Sequence, residues 1–150
     1  MFKIADIFTG RYNLIRYFSK LHLFILKNFK NKYLNELIGI PILVLITIGR
    51  KSNKKRYAPL VYFKIDDCLL IVASNGGNPK DPNWYQNLIS QKTVHINING
   101  KIYECNYSII ENELRDYYWT EILKIYPKYN EYQNLSGRII PVVNLKKIVV

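Results

Sequence analysis

Five cations and no acid occupy one short stretch of the chain, residues 49–56, which reads GRKSNKKR and is named here the basic loop. It joins two runs rich in β-branched and aromatic residues, which are typical of strands. Hairpin turns are normally built from Gly, Asn, Asp or Pro, and like charges packed together repel unless an anion neutralises them. Gly49 can take a positive φ, so a tight loop there can also aim backbone N–H groups at an anion. The basic loop is therefore compatible with an anion site and with a solvated surface loop.

Two adjacent glycines follow a second strand-like run, in the sequence Ser-Asn-Gly-Gly of residues 74–77, named here the glycine turn. Because glycine has no Cβ, a backbone with two glycines can approach a flat ring or a phosphate closely. An ordinary flexible loop can contain the same pair. The glycine turn is a second candidate for ligand binding.

Tyr126, Tyr129 and Tyr132 recur at a spacing of three. On a helical turn such residues share one face, so three phenols can line one pocket and donate hydrogen bonds to a ligand. Packing in the core is the alternative interpretation of this spacing.

Charge and composition limit the classes of protein to which the chain can belong. The chain has 150 residues, of which 49% are hydrophobic and 22% charged, as expected for one globular domain. The net charge of +11 is concentrated in residues 1–36 and in the basic loop. Such localised charge indicates an anionic partner: a phosphorylated cofactor, acidic lipid or nucleic acid. We expect no nucleic acid partner, because the cations form two blocks without interleaved aromatic residues.

Metal and nucleophile motifs are missing from the sequence. His22 and His95 are isolated, and Cys68 and Cys105 match no metal-ligand spacing, so we expect no metal. No Walker loop, G-x-G-x-x-G or G-x-S-x-G follows any strand-like run. The cysteines are interpreted as reduced thiols of a cytoplasmic protein, with a disulfide between neighbouring strands as the alternative.

An N-terminal helical extension is predicted over residues 1–38. Apolar residues recur at helical spacing over residues 11–33, with cations mostly on the other face. This basic amphipathic helix can pack on the rest of the protein, lie on an anionic membrane surface, or do both. Its longest apolar run, Leu23–Leu26, is too short to span a bilayer, and no secretory signal is expected.

Residues 39–150 are predicted to form a small antiparallel barrel of the α+β class with peripheral helices. Asp66-Asp67 and Asn99-Gly100 are expected hairpin turns. Asp81 is expected to cap a short helix that ends at Ile89, and Tyr126-Pro127 ends a second helix, after which a short turn stops at Gly137. Pro141 predicts that the last strand begins at an edge. The predicted strands are residues 42–48, 57–63, 68–74, 93–99, 101–109 and 139–150, and the second helix is residues 111–125.

Four separated stretches together resemble a known family. GRKSNKKR followed by YAPLVYF, VASNGGNPKDPNWYQNL, IYPKYNEYQ and GRIIPVV are similar, in order and spacing, to the deazaflavin-dependent nitroreductases. These are split β-barrel proteins that bind coenzyme F420 and are related to FMN-binding flavoreductases. The resemblance implies a split β-barrel of about six strands and a reduced F420 that passes hydride to a quinone, nitroaromatic or similar acceptor. FMN is the alternative cofactor, and a non-catalytic barrel that binds flavin, haem or lipid is the alternative function.

The resemblance also implies roles for individual residues. Cations of the basic loop match positions that hold the acidic tail of the cofactor, and the glycine turn matches the segment beside its ring. One of the tyrosines can donate a proton or hydrogen bond to the acceptor. The implied cofactor-binding residues are Arg50, Lys51, Ser52, Arg56, Ala58, Pro59, Ala73, Ser74, Asn75, Gly76, Gly77, Trp84 and Tyr85. The implied acceptor-binding residues are Tyr126, Tyr129 and Tyr132, and the implied catalytic residues are Tyr126, Tyr129 and Ser74.

Three positions depart from the family pattern. Asn53 and Lys55 stand where glycine and proline are usual, and Ala58 stands where Thr or Asn is common. The expected partners are a small quinone or nitro acceptor and a second copy of the chain. A cytoplasmic location is expected, with peripheral contact to the inner face of the membrane through residues 11–33.

Overall fold

Six antiparallel strands close a barrel in the computed structural model, which describes residues 39–149. The barrel and its three helices confirm the predicted α+β split-barrel class. The predicted helix at residues 11–33 and the predicted boundary at residue 38 lie outside the described residues. The strands are β1 (Ile42–Ile48), β2 (Lys55–Ile65), β3 (Cys68–Val72), β4 (Val94–Ile98), β5 (Lys101–Ile110) and β6 (Val142–Lys147). The helices are α1 (Asn83–Leu88), α2 (Asn112–Ile125) and α3 (Lys128–Ser136), with a 3₁₀ turn at Asn75–Gly77.

Around the barrel the strands follow the order β1, β2, β3, β6, β5, β4, and β4 pairs with β1 to close it. The two predicted hairpin turns are confirmed, because β2 meets β3 at Asp66-Asp67 and β4 meets β5 at Asn99-Gly100. Asn99 and Gly100 both have positive φ, at 52° and 85°, as a tight hairpin turn of this sequence requires.

Alternating residues of the strands divide the apolar core into two parts. All six strands send side chains into the barrel interior, including Leu45, Ile71, Ile96 and Val143. The neighbouring positions of β2, β3 and β6 face outward and are covered by α2 and α3. Because strand side chains alternate between faces, these strands are buried on both sides along the part that α2 and α3 cover. The two helices thus lie against one side of the barrel.

Two predictions at element ends are wrong. Asp81 does not cap α1, because Pro82 is its N-terminal flanking residue and the Asp81 carboxylate accepts a hydrogen bond from Arg138. The last strand begins at Val142 and pairs on both sides, with β3 and with β5, so it is not an edge strand. Pro141 lies just before the strand, and its carbonyl accepts the N–H of Ala73.

The segment after α2 is more helical than expected. Tyr126 and Pro127 do end α2, but α3 follows with nine residues instead of a short turn. Gly137 ends α3 with a φ of 62°, a left-handed conformation that glycine adopts without steric cost. β3 ends at Val72, so Ala73 and the glycine turn follow the strand.

Cys68 and Cys105 are free thiols. They lie on β3 and β5, which are separated by β6, so the alternative of a disulfide between neighbouring strands is wrong. Between residues 39 and 149, no helix combines the length and the apolar character needed to cross a bilayer. The same stretch holds no cluster of three or more His, Cys, Asp or Glu side chains suited to a metal ion.

Candidate functional site

An open cleft of about 970 Å³ lies between the basic loop, β2 and the stretch from the glycine turn to α1. It brings together most of the residues that the sequence predicts for the cofactor. The predicted residues that line it are Arg50, Lys51, Ser52, Arg56, Ala58, Pro59, Ser74, Asn75, Gly76, Trp84 and Tyr129. The predicted residues outside its lining are Ala73, Gly77, Tyr85, Tyr126 and Tyr132.

The cleft runs along the edge of β2. Six consecutive residues, 56–61, line it, although successive side chains of a strand point to opposite faces. Among the described strands, β2 pairs with β3 only from Tyr62 to Ile65, so the earlier residues of β2 bond to β1 alone. Pro59 lies in this one-sided part and has no N–H to leave unsatisfied. The cleft therefore occupies the split in the barrel.

The cations of the basic loop divide into two groups. Arg50, Lys51 and Arg56 line the cleft, whereas Lys54 and Lys55 do not. Arg56 donates from Nη2 to Ser52 Oγ at 2.9 Å. Within residues 39–149, none of these cations forms an ion pair with a carboxylate. Their charges are therefore available to an anion in the cleft.

Glycine at position 49 serves a close approach, not a positive φ. A Cβ on Gly49 would lie 2.5 Å from Ser52 Oγ and 3.2 Å from Arg56 Nε. The expectation of a positive φ at Gly49 is wrong, and Asn53 takes that role with a φ of 51°. Asparagine tolerates this conformation, which accounts for its presence where the family usually has glycine.

Backbone amides of the basic loop bond within the protein. Gly49 N donates to Lys54 O, and Ser52 N and Asn53 N donate to Gly49 O. The amide of Arg50 donates to Asn87 Oδ1 at 3.1 Å. The expectation that such amides point at an anion is wrong for these four, so the side chains must supply the contacts.

Two amide side chains near the end of α1 fix the start of the basic loop. Asn87 is buried, and its Oδ1 accepts both the amide and the Nη1 of Arg50, each at 3.1 Å. Gln91 accepts from Ile48 N at 3.0 Å and donates to Ile48 O. Asn87 also lines the cleft. The sequence does not single out either residue, because a polar side chain on or just after a short helix gives no sign of the distant backbone groups to which it bonds.

Three of the four residues of the glycine turn have left-handed backbone. Asn75, Gly76 and Gly77 have φ values of 50°, 63° and 82°. Gly76 lines the cleft, whereas Gly77 is buried against α3, where an added Cβ would lie 3.1 Å from Leu135 Cβ. The two glycines therefore serve different purposes: one can face a ligand and the other lets the turn pack on a helix.

Trp84 lines the cleft from α1, and Tyr85 packs behind it with the ring centroids 6.0 Å apart. Burial, followed by the charge of Asp81, raises the pKa of the Tyr85 phenol. Ala73 is fully buried at the end of β3. Tyr85 and Ala73 thus support the cleft without lining it.

The three tyrosines form one cluster, but only Tyr129 reaches the cleft. Its ring centroid lies 5.0 Å from that of Tyr126 and 5.9 Å from that of Tyr132. Burial raises the pKa of Tyr129, and the neighbouring phenols of Tyr126 and Tyr132 raise it further. Burial likewise raises the pKa of Tyr132, helped by Tyr126, with which it forms a hydrogen bond. The ring of Tyr129 also packs against Phe63 and Trp119, so four aromatic neighbours hold this neutral phenol at the cleft.

Comparisons with known proteins identify the family of the chain. A family described as F420H(2)-dependent quinone reductase matches residues 19–147. The chain is 36% identical over 110 residues to F420H(2)-dependent quinone reductase Rv1261c of Mycobacterium tuberculosis, which covers 71% of this chain and 74% of that protein. A solved structure of an F420-H2 dependent reductase is 37% identical, covering 71% of this chain and 94% of that one with a TM-score of 0.62. Another, described as a domain-swapped dimer, is 37% identical with a TM-score of 0.63, covering 71% and 80%.

Proposed function

Because this chain belongs to the F420H(2)-dependent quinone reductase family, we propose that it reduces a quinone with hydride that reduced coenzyme F420 supplies. The observation that carries the proposal is the cleft itself. Its lining combines three cations of the basic loop that have no carboxylate partner within residues 39–149, a glycine at the glycine turn and the phenol of Tyr129. A cofactor with an acidic tail and a flat ring needs these features in one place.

The residues present fit such a cofactor. Arg50, Lys51 and Arg56 would hold the phosphate and carboxylates of the tail, since charge-assisted hydrogen bonds are the strong ones. Among the described residues, Asp81 is the one carboxylate that lines the cleft. Its Oδ1 accepts from Arg138 Nη1 at 2.7 Å, so its negative charge is compensated and opposes the tail little.

The flat ring would lie along the split edge of β2. Ala58 and Pro59 present small, apolar surfaces there, and Gly76 presents no side chain opposite them. Ser74 and Trp84 complete the wall and would keep water from the reacting face of the ring. Ala58, where the family commonly has Thr or Asn, offers no side-chain hydrogen bond to the cofactor.

Tyr129 is the proposed hydrogen-bond donor to the acceptor. When hydride reaches a quinone, negative charge develops on the carbonyl oxygen, and a neutral phenol positioned there stabilises it. The raised pKa makes this phenol a weak acid, so it would donate a hydrogen bond to the oxygen and keep its own proton. Tyr126 and Tyr132 pack against the ring of Tyr129 and would hold its orientation. Ser74 is a second proposed donor, because it lines the same cleft.

The test is turnover with reduced F420 under anaerobic conditions, followed by the return of the absorbance of oxidised F420. A short-chain quinone and a nitroaromatic compound are compared as acceptors at equal concentration. Faster turnover with the quinone supports the proposal. Turnover with the nitro compound alone would reassign the acceptor, and turnover with reduced FMN in place of F420 would reassign the cofactor. No turnover with either acceptor would contradict the proposed reaction.

We also propose that residues 11–33 hold the enzyme at an anionic membrane surface, where quinones reside. The support is the amphipathic pattern of that segment and its cations, each worth about 1 kcal/mol near acidic headgroups. Changing Lys20, Lys27 and Lys30 to Gln should reduce co-sedimentation with anionic vesicles and leave binding to neutral vesicles unchanged. Equal co-sedimentation of the wild type and the triple variant with anionic vesicles would refute the proposed membrane contact.

A homodimer is proposed as well. The support is the domain-swapped dimer among the solved structures that resemble this chain. Light scattering during size-exclusion chromatography should give twice the mass of 17.8 kDa. A single species at the mass of one chain would contradict the dimer.

A further inference from the structure

Arg138 ties together the two ends of the segment that contains the glycine turn. Its Nη2 donates to the carbonyls of Ala73 at 2.9 Å and of Ser74 at 3.3 Å, where the segment leaves β3. Its Nε donates to Asn78 O at 3.1 Å, and its Nη1 donates to Asp81 Oδ1 at 2.7 Å, where the segment continues toward α1. One largely buried guanidinium, with 16% of its side chain exposed, thus contacts both sides of the turn.

The glycine turn needs such a restraint. Asn75, Gly76 and Gly77 adopt left-handed backbone in succession, and asparagine and glycine both reach other conformations at little cost. The turn itself supplies two backbone hydrogen bonds, from Gly77 N to Ser74 O and from Asn78 N to Asn75 O. Glycine-rich backbone also has many alternative conformations when nothing outside holds it. Arg138 supplies contacts from outside the turn that close it into one shape.

We propose that Arg138 is a positioning residue that presets the glycine turn for the ring of the cofactor, an inference that rests on the proposed function. Arg138 does not line the cleft, so it acts through the carbonyls that it binds. The guanidinium is a planar fork of donors, and it can reach carbonyls on two sides at once. An ammonium group on lysine can keep the ion pair with Asp81 but cannot reproduce the whole set of contacts.

The chain offers a matched control for Arg138. Arg115 on α2 is buried to a similar extent, with 14% of its side chain exposed. It also binds a backbone carbonyl, that of Ile140 at 2.9 Å, together with the side chain of Gln133. Neither of these partners lies in residues 73–81, although Gln133 also donates to the carbonyl of Arg138. Arg115→Gln therefore removes a comparable buried cation without removing any contact that the Arg138 guanidinium makes to residues 73–81.

The first measurement needs no cofactor. Hydrogen exchange of peptides that cover residues 74–80 is followed in the wild type, Arg138→Gln, Arg138→Lys and Arg115→Gln. Exchange should become about tenfold faster in Arg138→Gln and should accelerate less in Arg138→Lys. It should be unchanged in Arg115→Gln. Arg138→Lys keeps the test usable if Arg138→Gln does not fold. Unchanged exchange in the Arg138 variants, or an equal rise in Arg115→Gln, would overturn the proposal.

The second measurement is the Kd for F420, followed through tryptophan fluorescence at a temperature where every variant is folded. Arg138→Gln should raise the Kd about tenfold, and Arg115→Gln less than about twofold. Faster exchange with an unchanged Kd would overturn the link between the turn and the ring. If the wild type itself binds no F420 while exchange responds as expected, the proposed function fails and the structural role of Arg138 stands.

Discussion

Two lysines of the basic loop form a matched pair for testing how the cofactor tail is held. Lys51 lines the cleft, and Lys54, three residues later in the same loop, does not. Replacing either with alanine removes one positive charge from an exposed position. The two variants therefore alter the overall charge of the protein equally, and they differ in whether the lost ammonium can contact a ligand in the cleft.

The expected magnitude follows from that difference. A hydrogen bond to a charged group contributes about 1.5–3 kcal/mol, and the exposure of Lys51 reduces this, so we expect its loss to raise the Kd for F420 about tenfold. Lys54 can act only through solvent, where salt at about 0.15 M screens charges over roughly 8 Å. Lys54→Ala should therefore raise the Kd by less than about twofold.

The assay is equilibrium titration with F420 at low and moderate salt, followed through the fluorescence of Trp84, which lines the cleft. Thermal unfolding of both variants serves as the control for folding. Equal increases of the Kd in the two variants would mean that the loop attracts the cofactor only through its long-range field. Unchanged affinity in both would refute the assignment of the tail to the basic loop.

Three further changes test other parts of the site. Tyr129→Phe should lower kcat at least about tenfold with little effect on the Kd for F420. The control is Tyr118→Phe at a buried tyrosine outside the cleft, which should leave kcat unchanged. Equal kcat values for Tyr129→Phe and the wild type would remove Tyr129 from the chemistry. Asn87→Ala leaves the amide of Arg50 without its acceptor, so the free energy of unfolding, measured by urea titration, should fall by about 1–3 kcal/mol. The Kd for F420 should also rise, and a lower stability with an unchanged Kd would make Asn87 structural only. Burial raises the pKa of the Cys105 thiol from 9.0 to about 11. The contribution of the neutral thiol to the free energy of unfolding is therefore complete below pH 9 and is lost as the pH rises through 11. In Cys105→Ala the free energy of unfolding should fall less over this pH range, and a fall equal to that of the wild type would contradict the raised pKa.

The barrel and the two loops that line the cleft were predictable because their signals are local. Alternation of apolar residues marks the strands, Asn99-Gly100 marks a hairpin, and a run of like charges marks the basic loop whatever it contacts. The loop's internal geometry was not predictable in the same way. Gly49 is needed because Ser52 and Arg56 fold back over it, and that contact exists only once the hairpin has formed.

Long-range polar contacts account for most of what the sequence did not reveal. Asp81 has the position and residue type of a helix cap, but a guanidinium 57 residues away takes its carboxylate. Arg138 and Asn87 stand within stretches that resemble the family, yet their partners are backbone and side-chain atoms of segments distant in the sequence. The spacing of the tyrosines predicted their clustering, whereas only the packing of α3 against the barrel decides that Tyr129 alone meets the cleft.

The central claim, that the cleft binds F420, is tested most directly by titrating the purified protein with F420 and separately with FMN. The two tryptophans differ usefully as reporters, because Trp84 lines the cleft and Trp119 is buried in the core beneath Arg115. We expect saturable quenching by F420 at micromolar or lower concentration, weaker binding of FMN, and loss of most of the F420 signal in Trp84→Phe. Tighter binding of FMN would contradict the assignment of F420, and binding of neither compound would contradict the assignment of the cleft.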